Sequence, residues 1–320
     1  MPKSVVDIFE HETGIKLNIN YISTTGMMLS LLKGRGEADI IMPTHSRVSQ
    51  FYEAGLVQPL DLNNISNYEK VSKSIREQSW TKWNGSQLGF GEIYAIPYIL
   101  GTSGLVINTS KYINNIEGIG WEVLFDTSLK RRVSSIDYIE SLWLILDLNG
   151  IPRENLIMDT QATLERIRSD VKALENNVLK FYKTNNEIMD LMKNEEVWIS
   201  FIWDGGGRKL SKFDPKFKYV LSASGGMAWA DTFMIPKEAK NPFAAILFID
   251  FMLKPDTAAM LTMESGFTTT VDGALDVTQD INKDLYSLTE EELVNLKWSP
   301  NLSEEAWSIV FEFWEELSTQ

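Results

Sequence analysis

The sequence predicts an α/β protein with a largely parallel sheet, folded as two lobes between which the chain crosses. Three observations predict it. Apolar residues recur alternately at helical and at two-residue spacing, with short turns between the segments. At 320 residues the chain has room for two ordinary domains. No linker, internal repeat or low-complexity block divides it, which suits a chain passing between lobes rather than two domains in series.

Each element follows in order. Val5, Val6, Ile8 and Phe9 form an apolar helix face that stops at Gly14. "IKLNINYI" (Ile15–Ile22) alternates as a strand, "MMLSLLKGRG" reads as a short helix, and "ADIIMP" (Ala38–Pro43) as a buried strand ended by proline. "VSQFYEAGL" is a further helix, and Tyr94–Asn108 supplies two apolar strand segments joined through Gly101–Gly104. "KRRVSSI" is a strand feeding a helix from Tyr138 to about Leu148, and "TQATLERIRSDVKALENNVLKFY" reads as one long amphipathic helix. "EVWISFIWDGGG" is a strand stopped by its triple glycine, "KYVLSA" another strand, and "GGMAWADTFMIP" an apolar strand with Asp231 at its centre. Asn241 and Pro242 mark a helix start by cap and first-turn preference. That helix closes at "LKPD" and "TAAMLTMESG" follows as a second; the tail has Ser303 as cap before a stripe of Trp307, Val310, Phe311 and Trp314.

Composition narrows the chemistry. The net charge of −14 repels nucleic acid and anionic membranes, so neither is expected as a partner, and it mildly favours cationic ligands. The absence of cysteine excludes disulfides, thiolate metal sites and cysteine nucleophiles. His11 and His45 are the only imidazoles, without H-E-x-x-H or G-x-S-x-G around them. No metal and no cofactor is expected. The strongest apolar run, Ala244–Leu253, is too short to span a bilayer and carries Asp250; the first residues lack the features of a secretory leader.

Four stretches place polar or aromatic residues at strand ends, where open α/β sheets bind ligands. "MPTHSRV" offers Thr44, His45 and Ser46; "SSIDYIESLW" offers Asp137 and Glu140 at i and i+3, on one face of a helix start. "SFIWDGGGR" offers Trp203 and Asp204, and the opening of "WADTFMIP" offers Trp229 and Asp231. Each has an ordinary structural explanation: helix-dipole electrostatics, a core tryptophan, an aspartate holding turn amides. Together they suit an organic cation, because indole faces attract ammonium groups and cover methylenes while carboxylates accept hydrogen bonds. Paired acids also suit a glycosidase, and calcium is a third option although its D-x-[DN]-x-[DN]-G loop is absent. The residues alone leave these open.

Read in order, "FEHETGIKLNINYIST", "ADIIMPTHSRVSQFYEAGLVQPLD", "YAIPYILGTSGLVIN", "GWEVLFD", "EEVWISFIWDG", the W-x-D-x-x-x-I-P segment with its following "FIDFML" helix, and "ESGFTTT" resemble the spermidine/putrescine-binding proteins of bacterial polyamine ABC transporters. The resemblance runs over essentially the whole chain. It implies a two-lobed periplasmic-binding-protein fold of type II, each lobe a mixed, mostly parallel sheet flanked by helices, joined by crossing hinge strands and closing on ligand in the interlobe cleft. Residues 1–104 with 230–275 would form one lobe, and 105–229 with 276–320 the other. It further implies a non-enzymatic, monomeric, extracytoplasmic receptor, periplasmic or membrane-anchored, that delivers polyamine to a membrane permease.

The family's ligand residues carry over to Asp137 and Glu140 (its D-x-x-E pair), Trp203, Trp229 and Asp231 (its W-x-D), and Phe267, where the family has tyrosine. Thr44 and Ser46 stand where the family often has serine and tyrosine, and Ser299 where it has glutamine. These departures keep open another solute of the same fold: an amino-acid-like cation, a betaine or a metal chelate. A carboxylate-dependent hydrolase is the remote alternative. The family's opening strand, with an aromatic and an acidic ligand residue, would precede Met1–Pro2 and lie between Ile15–Ile22 and Ala38–Pro43. Its absence would leave two rows of backbone groups unpaired across about 10 Å, so the expectation is a chain shortened by its leader and first strand.

Overall fold

The computed structural model describes residues 1–34, 38–279, 281, 283–288 and 295–318. It is an α/β protein of two compact units, Met1–Leu100 with Trp229–Ser287 and Gly101–Ala228 with Leu288–Gln320. The chain passes from one to the other within the strand Ile96–Asn108, within the strand Met227–Phe233, and after Ser287.

In the first unit the helix Lys3–Thr13 ends at Gly14, whose φ of 71° only glycine adopts without strain. Its buried face, Val5 and Phe9, meets Phe248 and Phe251 of the helix Pro242–Met252, with ring centroids 5.1 and 5.3 Å apart. Short antiparallel ladders join Val57–Gln58 to Ile235–Pro236 and Thr268–Thr269 to Ile99–Leu100.

Two expected strands of this unit are not formed. Ile15–Ile22 keeps its alternation of half-buried and exposed residues as far as Asn20, yet it joins no ladder. Two of its amides are taken by side chains instead: Ile15 N–H donates to Thr13 Oγ1 and Leu17 N–H to Glu10 Oε1. Alternation selects a face, but a strand also needs a neighbour to pair with. Ala38–Pro43 forms no continuous ladder: Ile41 bridges to Met234 and the next bridge is Thr44 to Asp231, because Pro43 between them has no N–H to return for the bond its carbonyl accepts from Thr232.

In the second unit the strand Val133–Ile136 lies parallel to Val178–Tyr182 on one side and to Ile199–Trp203 on the other. Ile96–Asn108 pairs antiparallel with Ile199–Trp203 and with Phe217–Val220, and Lys297–Trp298 runs parallel to Met227–Ala228. Trp121 packs edge-on against Phe201, and Trp143 against Trp307 of the final helix, Glu304–Ser318, whose start is capped by Ser303 Oγ accepting from Ala306 N–H.

Three expectations change here, each for a physical reason. The long helix is broken into Thr160–Glu165 and Arg168–Asn177, and its end, Val178–Tyr182, is a strand. A Val-Leu-Lys-Phe-Tyr run carries strand preference, and a parallel neighbour realises it. Ile96–Asn108 is one continuous strand rather than two; Gly104 lets Val220 approach, since a Cβ there would lie 2.5 Å from its carbonyl oxygen. The triple glycine opens the helix Asp204–Phe213 instead of only ending the strand. A Cβ on Gly207 would lie 2.4 Å from the Tyr219 ring. Gly207→Ala is therefore expected to destabilise by about 1–3 kcal/mol despite the better helix propensity of alanine. Urea unfolding followed by tryptophan fluorescence checks this; an unchanged midpoint would show that the ring yields freely.

Candidate functional site

Each unit carries its own set of the residues singled out in sequence. In the first, Pro43 and Thr44 meet the strand Met227–Phe233 from the side. Thr232 N–H donates to the Pro43 carbonyl at 3.0 Å, and Thr44 bridges antiparallel to Asp231. This brings the Thr44 hydroxyl 3.3 Å from Asp231 Oδ1, where it donates a hydrogen bond. Asp231 is half-buried among apolar neighbours, and no ion pair to it occurs among the described residues. Burial pushes its pKa from 3.8 up to about 6, with the Thr44 hydroxyl only partly offsetting the rise.

Aromatic residues of the same unit belong to this set. Trp229 is buried and meets Phe267 edge-to-face, with centroids 5.2 Å apart; its Nε1 has no acceptor among the described residues. Tyr98, which sequence reasoning missed, stacks on Phe233 at 4.0 Å and donates to Met42 Sδ at 3.6 Å. Burial first, and then the charge of Asp231, raise the Tyr98 hydroxyl well above its ordinary pKa, which places the two groups in the same electrostatic neighbourhood. The signal available in sequence was a single tyrosine in the otherwise apolar run "IPYIL". Ser46 lies in a tight 3₁₀ turn, His45–Arg47, and is only 5% exposed, so it presents little surface. His45 is fully buried beside it, and His11 is exposed.

In the second unit Glu140 is the first residue of the helix Glu140–Leu148. Trp203 Nε1–H donates to its Oε2 at 2.6 Å, and the Ser103 hydroxyl donates to the same oxygen at 3.4 Å. Asp137 precedes the helix, so the i,i+3 relation does not put the two acids on one helical face. Asp137 instead accepts from Trp314 Nε1–H at 3.1 Å and lies 3.5 Å from Lys183 Nζ. Asp204, next to Trp203, is fully buried and spent on an ion pair with Arg208 at 2.6 Å; burial pushes its pKa up to about 6, and the Arg208 charge limits the rise. Ser299 is buried, one residue beyond the strand Lys297–Trp298.

Among the described residues no group of three or more His, Cys, Asp or Glu is arranged to hold a metal ion, and no helix is long and apolar enough to cross a membrane. Each set holds a carboxylate and an indole: Asp231 with Trp229 two residues before it, and Glu140 with Trp203 hydrogen-bonded to it. That chemistry receives ammonium groups and the methylenes between them.

Comparison with known proteins shows the family. A family model described as bacterial extracellular solute-binding protein matches residues 4–286. The spermidine/putrescine-binding periplasmic protein 1 of Haemophilus influenzae is 26% identical over 272 residues, covering 84% of this chain and 72% of that protein. The spermidine/putrescine-binding periplasmic protein of Escherichia coli is 24% identical over 271 residues, covering 84% and 74%. A solved Listeria monocytogenes chain, described as a candidate spermidine/putrescine ABC transporter, superposes with a TM-score of 0.85 at 27% identity over 99% of this chain and 95% of its own.

Proposed function

The chain belongs to the bacterial extracellular solute-binding proteins, and from that premise we propose that it captures a linear polyamine of the spermidine/putrescine class and delivers it to the membrane permease of an ABC importer. The observation that carries this reading is Asp231: a half-buried carboxylate with one hydroxyl donor and no partner cation among the described residues, beside Trp229, Phe267 and Tyr98. A buried carboxylate without a counter-charge is costly, and an ammonium group supplies both the charge and the hydrogen bonds it lacks. The adjacent rings accept the methylenes, and a cation over an indole face adds about 0.5–2 kcal/mol. Glu140 with Trp203 and Ser103 offers the same chemistry in the second unit.

The Haemophilus influenzae and Escherichia coli relatives are periplasmic proteins by name, and the same extracytoplasmic place is proposed for this chain. Its work is capture and release, with no bond broken, and it acts as a monomer. Ligand binding should then depend on pH with a definite sign. Alkylammonium groups stay charged well above neutrality, as lysine does, so the titrating partner is the carboxylate. In the free protein Asp231 takes a proton as pH falls through about 6, whereas the bound cation favours its ionised form. Affinity for spermidine is expected to be flat above pH 7 and to fall by up to about tenfold per pH unit below pH 6. Calorimetry between pH 5 and pH 8 checks this; affinity that rises on acidification would contradict a cation held by Asp231.

A further inference from the structure

His45 sits at the point where the clasp on the Asp231 strand ends. Residues 41–45 pair with 234–230 as an interrupted ladder. Ile41 and Met234 exchange both backbone hydrogen bonds, at 2.9 and 3.0 Å. At the next hydrogen-bonded position Thr232 N–H and Thr232 Oγ1–H both donate to the Pro43 carbonyl, while Pro43 has no N–H to return. The following amide, Ala230 N–H, faces residue 45. There the chain turns away into the 3₁₀ helix His45–Arg47, and the His45 carbonyl is taken by Val48 N–H. Ala230 N–H donates instead to His45 Nδ1, at 3.2 Å. Both residues are fully buried, and the imidazole is packed at a tilt against Trp80 with centroids 5.4 Å apart.

We propose that His45 is a positioning residue for the ligand-binding strand: its neutral imidazole replaces a ladder carbonyl and fixes, through Ala230, the two ligand residues on either side, Trp229 and Asp231. A peptide N–H can only donate, so Nδ1 must be the unprotonated nitrogen and Nε2 the protonated one. A buried amide left without an acceptor would be free to pull the strand out of register, so the imidazole holds both flanking side chains with one bond. The effect on affinity rests on the polyamine reading; the effect on the strand does not.

The test has a part for each. Nitrogen-15 histidine spectra of the wild-type chain, which has only His11 and His45 to distinguish, should show His45 as the Nε2–H tautomer. His45→Asn keeps an acceptor atom where Nδ1 stands, while His45→Gln carries it one bond further out. Exchange of the Ala230 amide is expected to stay within about twofold of wild type in His45→Asn and to quicken about five- to tenfold in His45→Gln, with spermidine affinity weakening in the same order. An Nδ1–H tautomer, or equal exchange in the two variants, overturns the assignment. The tautomer is read on the unaltered chain, so it decides even if a variant folds poorly. The expected exchange pattern in a protein that ignores spermidine would uphold the positioning role and refute the polyamine reading.

Discussion

Asp231→Asn is expected to weaken spermidine and putrescine binding by well over tenfold while leaving the protein folded. The substitution is isosteric, and the asparagine carbonyl can still accept from the Thr44 hydroxyl 3.3 Å away. What it removes is the charge, and what it adds is an amide NH₂ that presents donors to a ligand made of donors. Losing one partner of a desolvated charge pair costs about 2–5 kcal/mol, most of it as faster release. Stability should move the other way or not at all, because burial already pushes this carboxyl up to about 6 and the ionised form is the costly one in the free protein. Calorimetry and thermal unfolding of the same preparation separate the two effects. Undiminished affinity would remove Asp231 from the site, and parallel loss of affinity and of melting temperature would make it a structural residue. The pH dependence below 6 should also vanish in this variant, since its titrating group is gone.

The largest effect on stability is expected from Arg208→Met. Asp204 is fully buried and 2.6 Å from the guanidinium, with the Thr102 hydroxyl donating at 3.3 Å and the Gly205 N–H at 2.8 Å. Methionine fills a similar volume without charge, which leaves a buried carboxylate with neutral donors only. Breaking a buried pair in this way costs about 3–5 kcal/mol. The sign of its pH dependence follows from the Asp204 shift. Its folded pKa is already raised to about 6, so the folded state holds the proton more tightly than the unfolded chain, and stability is lost as pH rises from about 4 through 6. Without Arg208 the pKa rises further and the loss extends to higher pH. The deficit of the variant should therefore be large at pH 7.5 and smaller at pH 5. Denaturant titrations at the two values check this, and a deficit that does not change with pH would mean the pair contributes little through its charge.

How much of this was legible in sequence depends on the distance over which each feature is decided. The helix that begins with Glu304 carries its own cap in Ser303, the helix at Pro242 its own first-turn proline, and Gly14 its own stop, so they read directly. Asn241, expected as a cap, makes no capping hydrogen bond and donates its amide to Asp39 instead. The Asp204–Arg208 pair was also within reach, as an acid and a base four residues apart behind a strand. Ile15–Ile22 and Val178–Tyr182 show the limit of local pattern. The first has the alternation of a strand and no neighbour; the second lies in a helical pattern and has a parallel partner in Val133–Ile136. Partners far away in the chain decide both cases.

The site divides along the same line. Residue types at Trp203, Glu140, Trp229 and Asp231 drew attention because carboxylates and indoles stood at strand ends. Their local relations were beyond sequence. Glu140 meets Trp203 across 63 positions, Asp137 is held by Trp314 across 177, and His45 reaches Ala230 across 185. Tyr98 escaped because a tyrosine in an apolar strand is ordinarily core. Its proximity to Asp231 exists only in three dimensions.

Polyamine capture is tested most directly by calorimetric titration of the chain with spermidine and with putrescine at pH 7.5, alongside 4-aminobutyrate and glycine betaine as single-cation controls. Saturable one-site binding of a polyamine, at least about tenfold tighter than either control, is expected, because a second ammonium group finds a further acceptor. Binding of a control with no response to either polyamine would contradict it and leave a solute-binding protein for a different cation.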